Sequence, residues 1–458
     1  MASVSIYTLG CKLNQLESEA VAGAFREAGF SVLPFNEDDP ADVVIVNTCT
    51  VTSKAEQKAR RIIRKLARNN ACVIVSGCYA RMDAEAIAAI DGRVLALADG
   101  SAGALLDLPA ALAVLPDVRD GGARRAFFIR DSISRIVSGQ ALRSAAPAPA
   151  ERFRYSPGAF SFHSRAFLKI QDGCNGRCAY CRVRLARGAS VSLEAAQALS
   201  HLRGLEAKGY REATLTGVNI NQYDAGMDLA GLVAYLLNGT ERIRLRLSSL
   251  EPDGVTRELC AVISDARVCP HVHLSVQAGS DAVLAAMRRP YTRDSVERAA
   301  ALVRSVKDDP FLGCDIIAGF PTETAADFED TLALCGRVGF SWIHAFPYSP
   351  RPGTEAFRFT EKVPDREIAR RVDALLALAR DGRRSYIGRQ IGKQAEAVIE
   401  RNEQTPDGFI AGVTETYLKV LLHTPDREAP RAGEAASCTL TAAAPPRQNA
   451  FDMLGTIP

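Results

Sequence analysis

Short apolar runs rich in β-branched residues alternate with longer amphipathic stretches over the first hundred residues of the chain. The runs predict strands and the stretches predict helices, because side-chain direction repeats every two residues in a strand and every 3.6 in a helix. This alternation is typical of an open parallel sheet with helices on its faces. The predicted strands span residues 4–9, 42–47, 72–76 and 94–98, and the predicted helices span residues 14–28, 53–69 and 83–90.

The alternation resumes with a longer period from Ala166 onwards. Six strand–helix units predict a partial (β/α)6 barrel that is open on one side, with its active face at the carboxyl ends of the strands. Its predicted strands span residues 167–170, 213–216, 244–248, 272–276, 313–317 and 343–346, and a long helix follows at 365–386. Four short runs at 395–400, 408–413, 417–423 and 437–442 then predict a small antiparallel β-barrel.

The expected fold class is therefore α/β with three domains, which suits a chain of 458 residues. We place the open-sheet domain at 1–115, a connector at 116–159, the partial barrel at 160–387 and the small barrel at 388–445. The connector contains Gly121-Gly122 and an alanine-rich tract with two prolines, both of which break the pattern. Prolines 425, 430, 445 and 446 interrupt the small barrel, so the pattern does not define its last strand.

Composition narrows the class of protein. A hydrophobic content of 47% and a charged content of 24% are those of an ordinary globular protein. We expect no signal peptide and no membrane helix, because the longest apolar stretch is interrupted by four charged residues: Asp91, Arg93, Asp99 and Asp107. Twelve cysteines without an export signal indicate reduced thiols in a cytoplasmic protein. A net charge of +3 is too small to indicate a nucleic-acid partner, which would need local basic faces.

Cys174, Cys178 and Cys181 share one short run and have a tight, asymmetric spacing. Three thiolates at this spacing suit three irons of a four-iron cluster, which leaves the fourth iron open to a ligand. The alternatives are a zinc knuckle or scattered core thiols. Zinc favours four ligands, however, and the next candidate, His201, lies in a predicted helix. The run resembles the radical S-adenosylmethionine (SAM) family, in which SAM binds the open iron; the resemblance places Tyr180 against the adenine.

Three further cysteines each follow a predicted strand of the first domain directly: Cys11, Cys49 and Cys78. The carboxyl ends of parallel strands meet at one edge of a sheet, so these thiolates are predicted to converge on a second cluster. Gly10 and Gly77 precede two of them and permit close backbone approach. Cys72 starts its strand, roughly 20 Å from Cys78 at about 3.3 Å per residue, and is excluded. The alternative is that all three are buried packing residues.

Several motifs together resemble the radical-SAM methylthiotransferase family. They include Thr8-Leu9-Gly10-Cys11-Lys12-Leu13-Asn14-Gln15, Asn47-Thr48-Cys49, Ser76-Gly77-Cys78, Phe167-Leu168-Lys169-Ile170-Gln171-Asp172-Gly173-Cys174, Ser248-Ser249-Leu250-Glu251-Pro252 and Asp315-Ile316-Ile317-Ala318-Gly319-Phe320-Pro321. The resemblance implies two [4Fe–4S] clusters, SAM as both methyl donor and radical source, and a C-terminal RNA-binding TRAM domain. It also implies tRNA, an external electron donor and a sulfur source as partners.

Lys12 after the first cluster cysteine resembles the branch that methylthiolates C2 of threonylcarbamoyladenosine beside the anticodon (position 37). Asn14 and Gln15 belong to the same motif, and all three are expected to lie near substrate. Branches acting on isopentenyladenosine or a ribosomal protein usually carry glutamine or proline instead of the lysine. They remain alternatives, as does an RNA-binding protein whose clusters are structural or sensory.

The resemblance also assigns cofactor contacts at the ends of barrel strands: Gly217, Asn219, Ser249, Glu251 and Gln277. The alternative is that some of these residues only cap strands. Cations recur every three or four residues along the helix predicted at 53–69, and they are expected to contact RNA: Lys54, Lys58, Arg61, Lys65 and Arg68. Such a face often serves solubility alone. Tyr417 and Lys419 are further candidate RNA contacts. Residues 182–185 depart from the family, and their arginines offer additional phosphate contacts.

Overall fold

The computed structural model describes residues 2–70, 72–98, 103–113, 129–135, 149–401, 405–406, 408–424, 429–445 and 451–457. These residues form two compact units. The first unit comprises Met1–Ser161, Asp172–Gly176 and Cys181–Leu193, and the second comprises Phe162–Gln171, Arg177–Tyr180 and Glu194–Pro458. Along the described ranges, no helix combines the length and apolar character needed to cross a membrane.

A five-stranded parallel sheet forms the centre of the first unit. Its strands are β1 (Ser3–Thr8), β2 (Ser31–Leu33), β3 (Val43–Thr48), β4 (Val73–Ser76) and β5 (Val94–Ala96), in the spatial order β2-β1-β3-β4-β5. Every residue of β3 is buried, as expected for a central strand covered on both faces. The predicted open parallel sheet is confirmed, and β2 is a three-residue edge strand that the pattern did not predict.

The helices of the first unit follow the strands in the predicted alternation. They are α1 (Lys12–Glu27), α2 (Ser53–Asn69), α3 (Gly77–Ala88) and α4 (Ala104–Ala113), followed by a helix at 129–135, a 3-10 helix (Pro149–Phe153), a short helix (Val183–Arg187) and a short strand (Val191–Ser192). The Thr52 side chain accepts a hydrogen bond from the Ala55 amide and so caps α2 at its predicted start. Residues 116–128 and 136–148 of the predicted connector lie outside the described residues.

Six parallel strands form the core of the second unit: Ala166–Lys169, Glu212–Thr216, Arg244–Leu247, His271–Gln277, Phe311–Ala318 and Trp342–Pro347. They lie side by side in chain order, because single parallel bridges between Leu245 and Val268 and between Leu250 and Leu274 join the two three-stranded halves. The intervening helices are Ala195–Ala207, Leu229–Asn238, Arg257–Ile263, Asp281–Ala286, Arg293–Val306 and Ala325–Val338, with 3-10 helices Ile220–Gln222 and Pro252–Gly254. This is the predicted partial barrel.

A small closed β-barrel ends the second unit, after a 3-10 helix (Ala356–Arg358) and the long helix Asp365–Gln390. Its strands are Gln394–Ile399, Phe409–Thr414, Lys419–His423, Ala435–Ala443 and Met453–Thr456. Four of the five pairings are antiparallel, and the last strand pairs parallel with Lys419–His423. The predicted small barrel is confirmed, but its fifth strand lies beyond residue 445, past the prolines that obscured the pattern.

A buried ionic cluster in the second unit involves Glu212, which is fully buried and bonded to Arg246 at 2.7 Å. Arg165 and Arg246 also lie over the ring of Tyr417, at 5.3 and 5.0 Å from its centroid, and the His271 ring lies 4.7 Å away. These contacts hold the half-buried ring of Tyr417 against its neighbours, and its contact with RNA stays a prediction. Lys419 is exposed.

Candidate cysteine-cluster sites

Three neighbouring strands of the first sheet end in register, and a cysteine follows each of them. Thr8 lies opposite Asn47, and Asn47 lies opposite Ser76. The cysteines come two or three residues further on: Cys11 as the N-cap of α1, Cys49 after β3, and Cys78 as the second residue of α3. The sheet therefore brings all three to one edge, as predicted. Cys72 lies buried at the opposite end of β4.

Two glycines permit the cysteine-bearing loops to approach each other. Gly10 has φ +116°, and a Cβ there would stand 2.8 Å from the Cβ of Cys49. Gly77 has φ +88°, and a Cβ there would collide with Thr48 and Asn47. Both positions therefore need glycine for backbone conformation as well as for space. The sequence had suggested close approach to a cofactor; the contacts shown are between loops.

Asn14 ties the first two cysteine loops together. Its side-chain Nδ2 donates to the carbonyl of Leu9 at 2.7 Å and to the carbonyl of Thr48 at 3.0 Å. Its Oδ1 lies 3.8 Å from the Cys11 sulfur and accepts from Arg187 Nη2 at 3.1 Å. Asn14 is 0% exposed. The Asn14 side chain is thus buried and engaged in orienting the loops, and its expected place near substrate stays a prediction.

Arg187 was not predicted to belong to the site. It donates from Nε to the Cys78 sulfur at 3.1 Å and from Nη1 to Glu17 at 2.9 Å and to Asp172 at 3.2 Å. Burial lowers the pKa of Arg187, but these three neighbours raise it, and the net pKa lies well above its usual value. A permanent cation therefore faces the sulfur of a predicted cluster ligand.

Burial sets the protonation of the thiols in this group. Burial, together with the neighbouring Cys11 and Cys78, raises the pKa of Cys49 to about 12. Burial also raises the pKa of Cys78, whereas the positive charge of Arg187 lowers it. Within the described residues, no three His, Cys, Asp or Glu side chains are placed to share one metal ion. Converging cysteine thiols with the Arg187 N–H donor at the Cys78 sulfur fit the ligands of an iron–sulfur cluster, in which each cysteine binds a different iron.

The start of the radical-SAM cysteine run belongs to the first unit. Gly173 has φ +70°, and a Cβ there would collide with Ala189. The Cys174 amide donates to the Gly188 carbonyl at 3.0 Å, and the Gly176 amide donates to the Cys174 sulfur at 3.2 Å. Backbone N–H groups aimed at sulfur suit a thiolate ligand. Cys174, Cys178 and Cys181 are all partly exposed.

Cys178 belongs to the second unit, where a second arginine meets a cysteine. Arg289 donates from Nη1 to the Cys178 sulfur at 3.1 Å and from Nε to the Tyr291 hydroxyl at 2.6 Å. The same guanidinium pairs with Glu251 at 2.9 Å. Arg289 and Tyr291 were not predicted. Glu251, predicted to bind SAM, lies at the expected strand end but shares its carboxylate with Arg289. The Tyr180 ring meets Phe320 edge-on at 6.5 Å.

The other predicted SAM contacts also follow the carboxyl ends of core strands. Gly217 packs closely against Gln171, because a Cβ there would stand 2.6 Å from its Oε1. The Asn219 side chain accepts from the Asn221 amide and caps a 3-10 turn. Ser249 is exposed. Gln277 has φ +68°, a strained conformation for a non-glycine residue that is common at functional sites.

The predicted substrate cations lie on the first unit. Lys12 is the first residue of α1, adjacent to Cys11, and both Lys12 and Gln15 are half-buried. Lys58 and Arg61 are exposed on α2, while Ala59, Ile62 and Leu66 are buried on its other side. This confirms the predicted amphipathic pattern of the helix. The exposed cations of α2 are Lys54, Lys58, Arg61, Arg64 and Arg68. Lys65 pairs with Glu37 at 2.8 Å and with Asp38 at 3.0 Å, which leaves it less available to RNA than its neighbours.

Arg182 does not offer the phosphate contact suggested by the sequence. It is 7% exposed and pairs with Glu56 at 3.1 Å and with Asp83 at 3.2 Å. Residues Val183–Arg187 form one short helix, on which Arg184 is exposed. The departure from the family pattern therefore yields a regular turn of helix anchored by a buried ion pair.

Comparison with known proteins places these features in a family. Residues 3–98 match an uncharacterized protein family, UPF0004, and residues 168–335 match the radical SAM superfamily. The fold resembles that of the radical SAM methyltransferase TsrM from Kitasatospora setae, with a TM-score of 0.51 and 15% identity over 78% of this chain and 77% of that one. The parallel core and its cysteine run thus define a radical SAM protein, which uses a [4Fe–4S] cluster and SAM.

Sequence relatives narrow the class further. The chain is 41% identical to the threonylcarbamoyladenosine tRNA methylthiotransferase MtaB of Treponema pallidum (strain Nichols), covering 92% of this chain and 94% of that protein. It is 34% identical to the protein of the same name from Thermotoga maritima, covering 92% and 91%. It is 33% identical to a tRNA-2-methylthio-N(6)-dimethylallyladenosine synthase of Cereibacter sphaeroides, covering 96% of each. The chain belongs to the radical SAM methylthiotransferase family, and the predicted resemblance is confirmed.

Proposed function

We propose that this protein methylthiolates C2 of threonylcarbamoyladenosine beside the anticodon of tRNA. The observation that carries the proposal is the convergence of Cys11, Cys49 and Cys78 at one sheet edge in a chain that also has a radical-SAM cysteine run. The relatives named for threonylcarbamoyladenosine support this substrate. An unactivated aromatic C–H bond has no acidity that a side chain could use, so the reaction needs cofactor chemistry.

We propose two [4Fe–4S] clusters, one for each cysteine group. Cys11, Cys49 and Cys78 would hold the first, and Cys174, Cys178 and Cys181 would hold the second together with SAM. When bound, these groups would supply the sulfur, the methyl group and the radical chemistry. An external electron donor and an external sulfur source complete the proposed partners, and the predicted cytoplasmic location still rests on the twelve cysteines.

The chain's own residues position these groups. Arg289 donates to the Cys178 sulfur and is itself held by Tyr291 and Glu251. Because a guanidinium with several fixed partners loses little freedom on binding, it orients the cysteine. The strand-end residues Gly217, Asn219, Ser249 and Gln277, with Tyr180, are the proposed SAM contacts, since chemistry on parallel barrels takes place at such ends.

The exposed cations of α2 are the proposed phosphate contacts. Lys54, Lys58, Arg61 and Arg68 are all exposed on one face, and the helix begins four residues after Cys49. Phosphate neutralisation by lysine and arginine supplies most of the sequence-independent affinity for nucleic acid. Lys65, which is paired with two acids, is the weakest member of the predicted set.

Lys12 is the proposed recognition residue for the threonyl carboxylate. It follows Cys11 directly, and as the first residue of α1 it lies at a helix N-terminus, where the helix dipole also favours an anion. A charge-assisted hydrogen bond of this kind contributes about 1.5–3 kcal/mol, or roughly 10- to 100-fold in discrimination. An isopentenyl group has no carboxylate and would gain nothing from this lysine.

The test compares methylthiolation of tRNA with and without the threonylcarbamoyl group, by wild-type protein and by Lys12→Gln. Wild type should prefer the modified tRNA, and Lys12→Gln should lose most of that preference. Lys54→Gln is the matched control, because it removes a cation from the α2 face and should weaken the binding of both tRNAs alike. Equal wild-type activity on both tRNAs would refute the assignment.

The relative in Cereibacter sphaeroides supports a second candidate, methylthiolation of isopentenyladenosine. A tRNA carrying isopentenyladenosine is therefore the third substrate in the same assay. Product from this tRNA alone would favour that candidate over ours. A protein that bound tRNA but methylthiolated none of the three would favour a structural or sensory role for the clusters.

A further inference from the structure

Arg187 is a buried arginine whose donors are all engaged within the first unit. It is 3% exposed. Nε donates to the Cys78 sulfur, Nη1 donates to Glu17 and Asp172, and Nη2 donates to Asn14 at 3.1 Å and to Glu17 at 3.4 Å. A guanidinium has five N–H groups, and these five contacts use every one of them. The side chain therefore has one orientation.

Through Asn14, this orientation connects two cluster cysteines. The Asn14 oxygen that accepts from Arg187 also lies 3.8 Å from the Cys11 sulfur. Arg187 itself contacts the Cys78 sulfur. The backbone of this arginine is also fixed, because Arg152 donates to the Arg187 carbonyl at 2.9 Å.

The charges around Arg187 are unequal. Two buried carboxylates, Glu17 and Asp172, face one guanidinium, so the group carries a net negative charge when both acids are ionised. Removal of the cation would leave the negative charges of Glu17 and Asp172 near Cys78 without this guanidinium, and removal of one anion would leave the cation in place. Charges interact strongly at short range in a site that excludes water. The two changes should therefore have opposite electrostatic effects on anything bound to Cys78.

Another arginine of the same segment provides an internal comparison. Arg182 is also buried, and it pairs with Glu56 and Asp83. These ion pairs join the Arg182 side chain to carboxylates and not to a sulfur. Loss of Arg182 should disturb packing and a buried ion pair much as loss of Arg187 does, without removing a donor to a cysteine.

We propose that Arg187 is a positioning residue that fixes the Cys78 sulfur and raises the reduction potential of the cluster held by Cys11, Cys49 and Cys78. The inference rests on the two-cluster part of the proposed function. A cluster gains negative charge on reduction, so an adjacent cation and an N–H bond to a ligating sulfur both favour the reduced form. Glu17 and Asp172 hold the guanidinium in place and oppose part of its effect.

The experiment uses the full chain with Cys174, Cys178 and Cys181 changed to alanine, so that only the first cluster contributes. Its midpoint potential is measured by redox titration monitored by electron paramagnetic resonance, without tRNA and without turnover. The variants in this background are Arg187→Lys, Arg187→Met and Glu17→Gln, and the matched control is Arg182→Met. Circular dichroism of each apoprotein reports whether it has folded.

Arg187→Met should shift the potential to more negative values by a tenfold change in the one-electron equilibrium or more, which corresponds to about 59 mV. Arg187→Lys keeps the positive charge but not the planar guanidinium, so its midpoint potential should lie between those of Arg187→Met and the parent. Glu17→Gln should shift the potential the other way, and Arg182→Met should leave it unchanged. If Arg187→Met does not fold, the midpoint potentials of Arg187→Lys and Glu17→Gln test the inference instead.

Shifts of the same sign in Arg187→Lys and Glu17→Gln would overturn the inference, because they would indicate general loosening of the site. An equal shift in Arg182→Met would overturn it for the same reason. An unchanged potential in Arg187→Lys and Glu17→Gln would overturn this inference alone, while leaving the two-cluster proposal standing. A parent protein that binds no iron would overturn both.

Discussion

Replacement of Asn14 by leucine should loosen the first cysteine group. The change removes two hydrogen bonds to the carbonyls of Leu9 and Thr48, each worth about 1 kcal/mol. It also removes the acceptor for Arg187 Nη2, a charged hydrogen bond worth about 1.5–3 kcal/mol. The sum is roughly 3.5–5 kcal/mol, and the apolar surface of leucine offsets about 1 kcal/mol of it. About 2.5–4 kcal/mol remains, so the closed arrangement of the loops should weaken by roughly 60- to 700-fold, since 1.4 kcal/mol is tenfold.

The assay is the rate at which a chelator removes iron from the chain that carries only the first cysteine group. Asn14→Leu should release iron roughly 60- to 700-fold faster than the parent if release follows loop opening. Gln15→Leu is the matched control, because it changes the neighbouring half-buried residue of the same helix. Equal release rates for the two variants, together with a raised KM for tRNA when Asn14→Leu is made in the wild-type chain, would refute the reasoning and favour Asn14 as a substrate contact.

Three further results are expected. Reconstituted wild-type protein should bind about eight irons, and replacement of Cys174, Cys178 and Cys181 by alanine should remove half; a wild-type count near four would exclude two [4Fe–4S] clusters. Cys78→Ala should still cleave SAM under dithionite yet form no methylthio product, and loss of SAM cleavage with the second cluster intact would contradict the separation of roles. Burial raises the pKa of Glu212, but Arg246 and its neighbours hold it at about 2, below the ordinary 4.5. Its contribution of about 3 kcal/mol is therefore present above pH 4.5 and lost as the pH falls towards 2, so thermal unfolding of wild type and Glu212→Gln should converge in acid.

The sequence predicted elements best where one strong periodicity covered many residues. α2 begins and ends at the predicted residues 53 and 69, because its apolar stripe, basic stripe and threonine cap agree. The edge strand β2 has only three residues, all half-buried, which is too short for a two-residue period to be visible. The last barrel strand, Met453–Thr456, follows a proline-containing stretch and is held by pairing with residues far away in the chain.

The candidate site was predicted as far as its cysteines, because strand ends of a parallel sheet must share an edge. The partners of those cysteines depend on contacts between distant parts of the chain. Arg187 meets Cys78 across 109 residues, and Arg289 meets Cys178 across 111. One signal was present: Glu17 lies in α1 between apolar positions, and a buried acid requires a cation. The sequence did not identify which cation it would be.

The main proposal is that the substrate is a tRNA that carries threonylcarbamoyladenosine beside its anticodon. Its most direct test is mass spectrometry of tRNA nucleosides from a strain in which this protein has been deleted, with and without the gene restored. Deletion should abolish 2-methylthio-threonylcarbamoyladenosine and cause threonylcarbamoyladenosine to accumulate. The wild-type gene should restore the methylthiolated nucleoside, and a gene encoding Cys78→Ala should not. Unchanged 2-methylthio-threonylcarbamoyladenosine, or loss of the methylthiolated isopentenyladenosine instead, would contradict it.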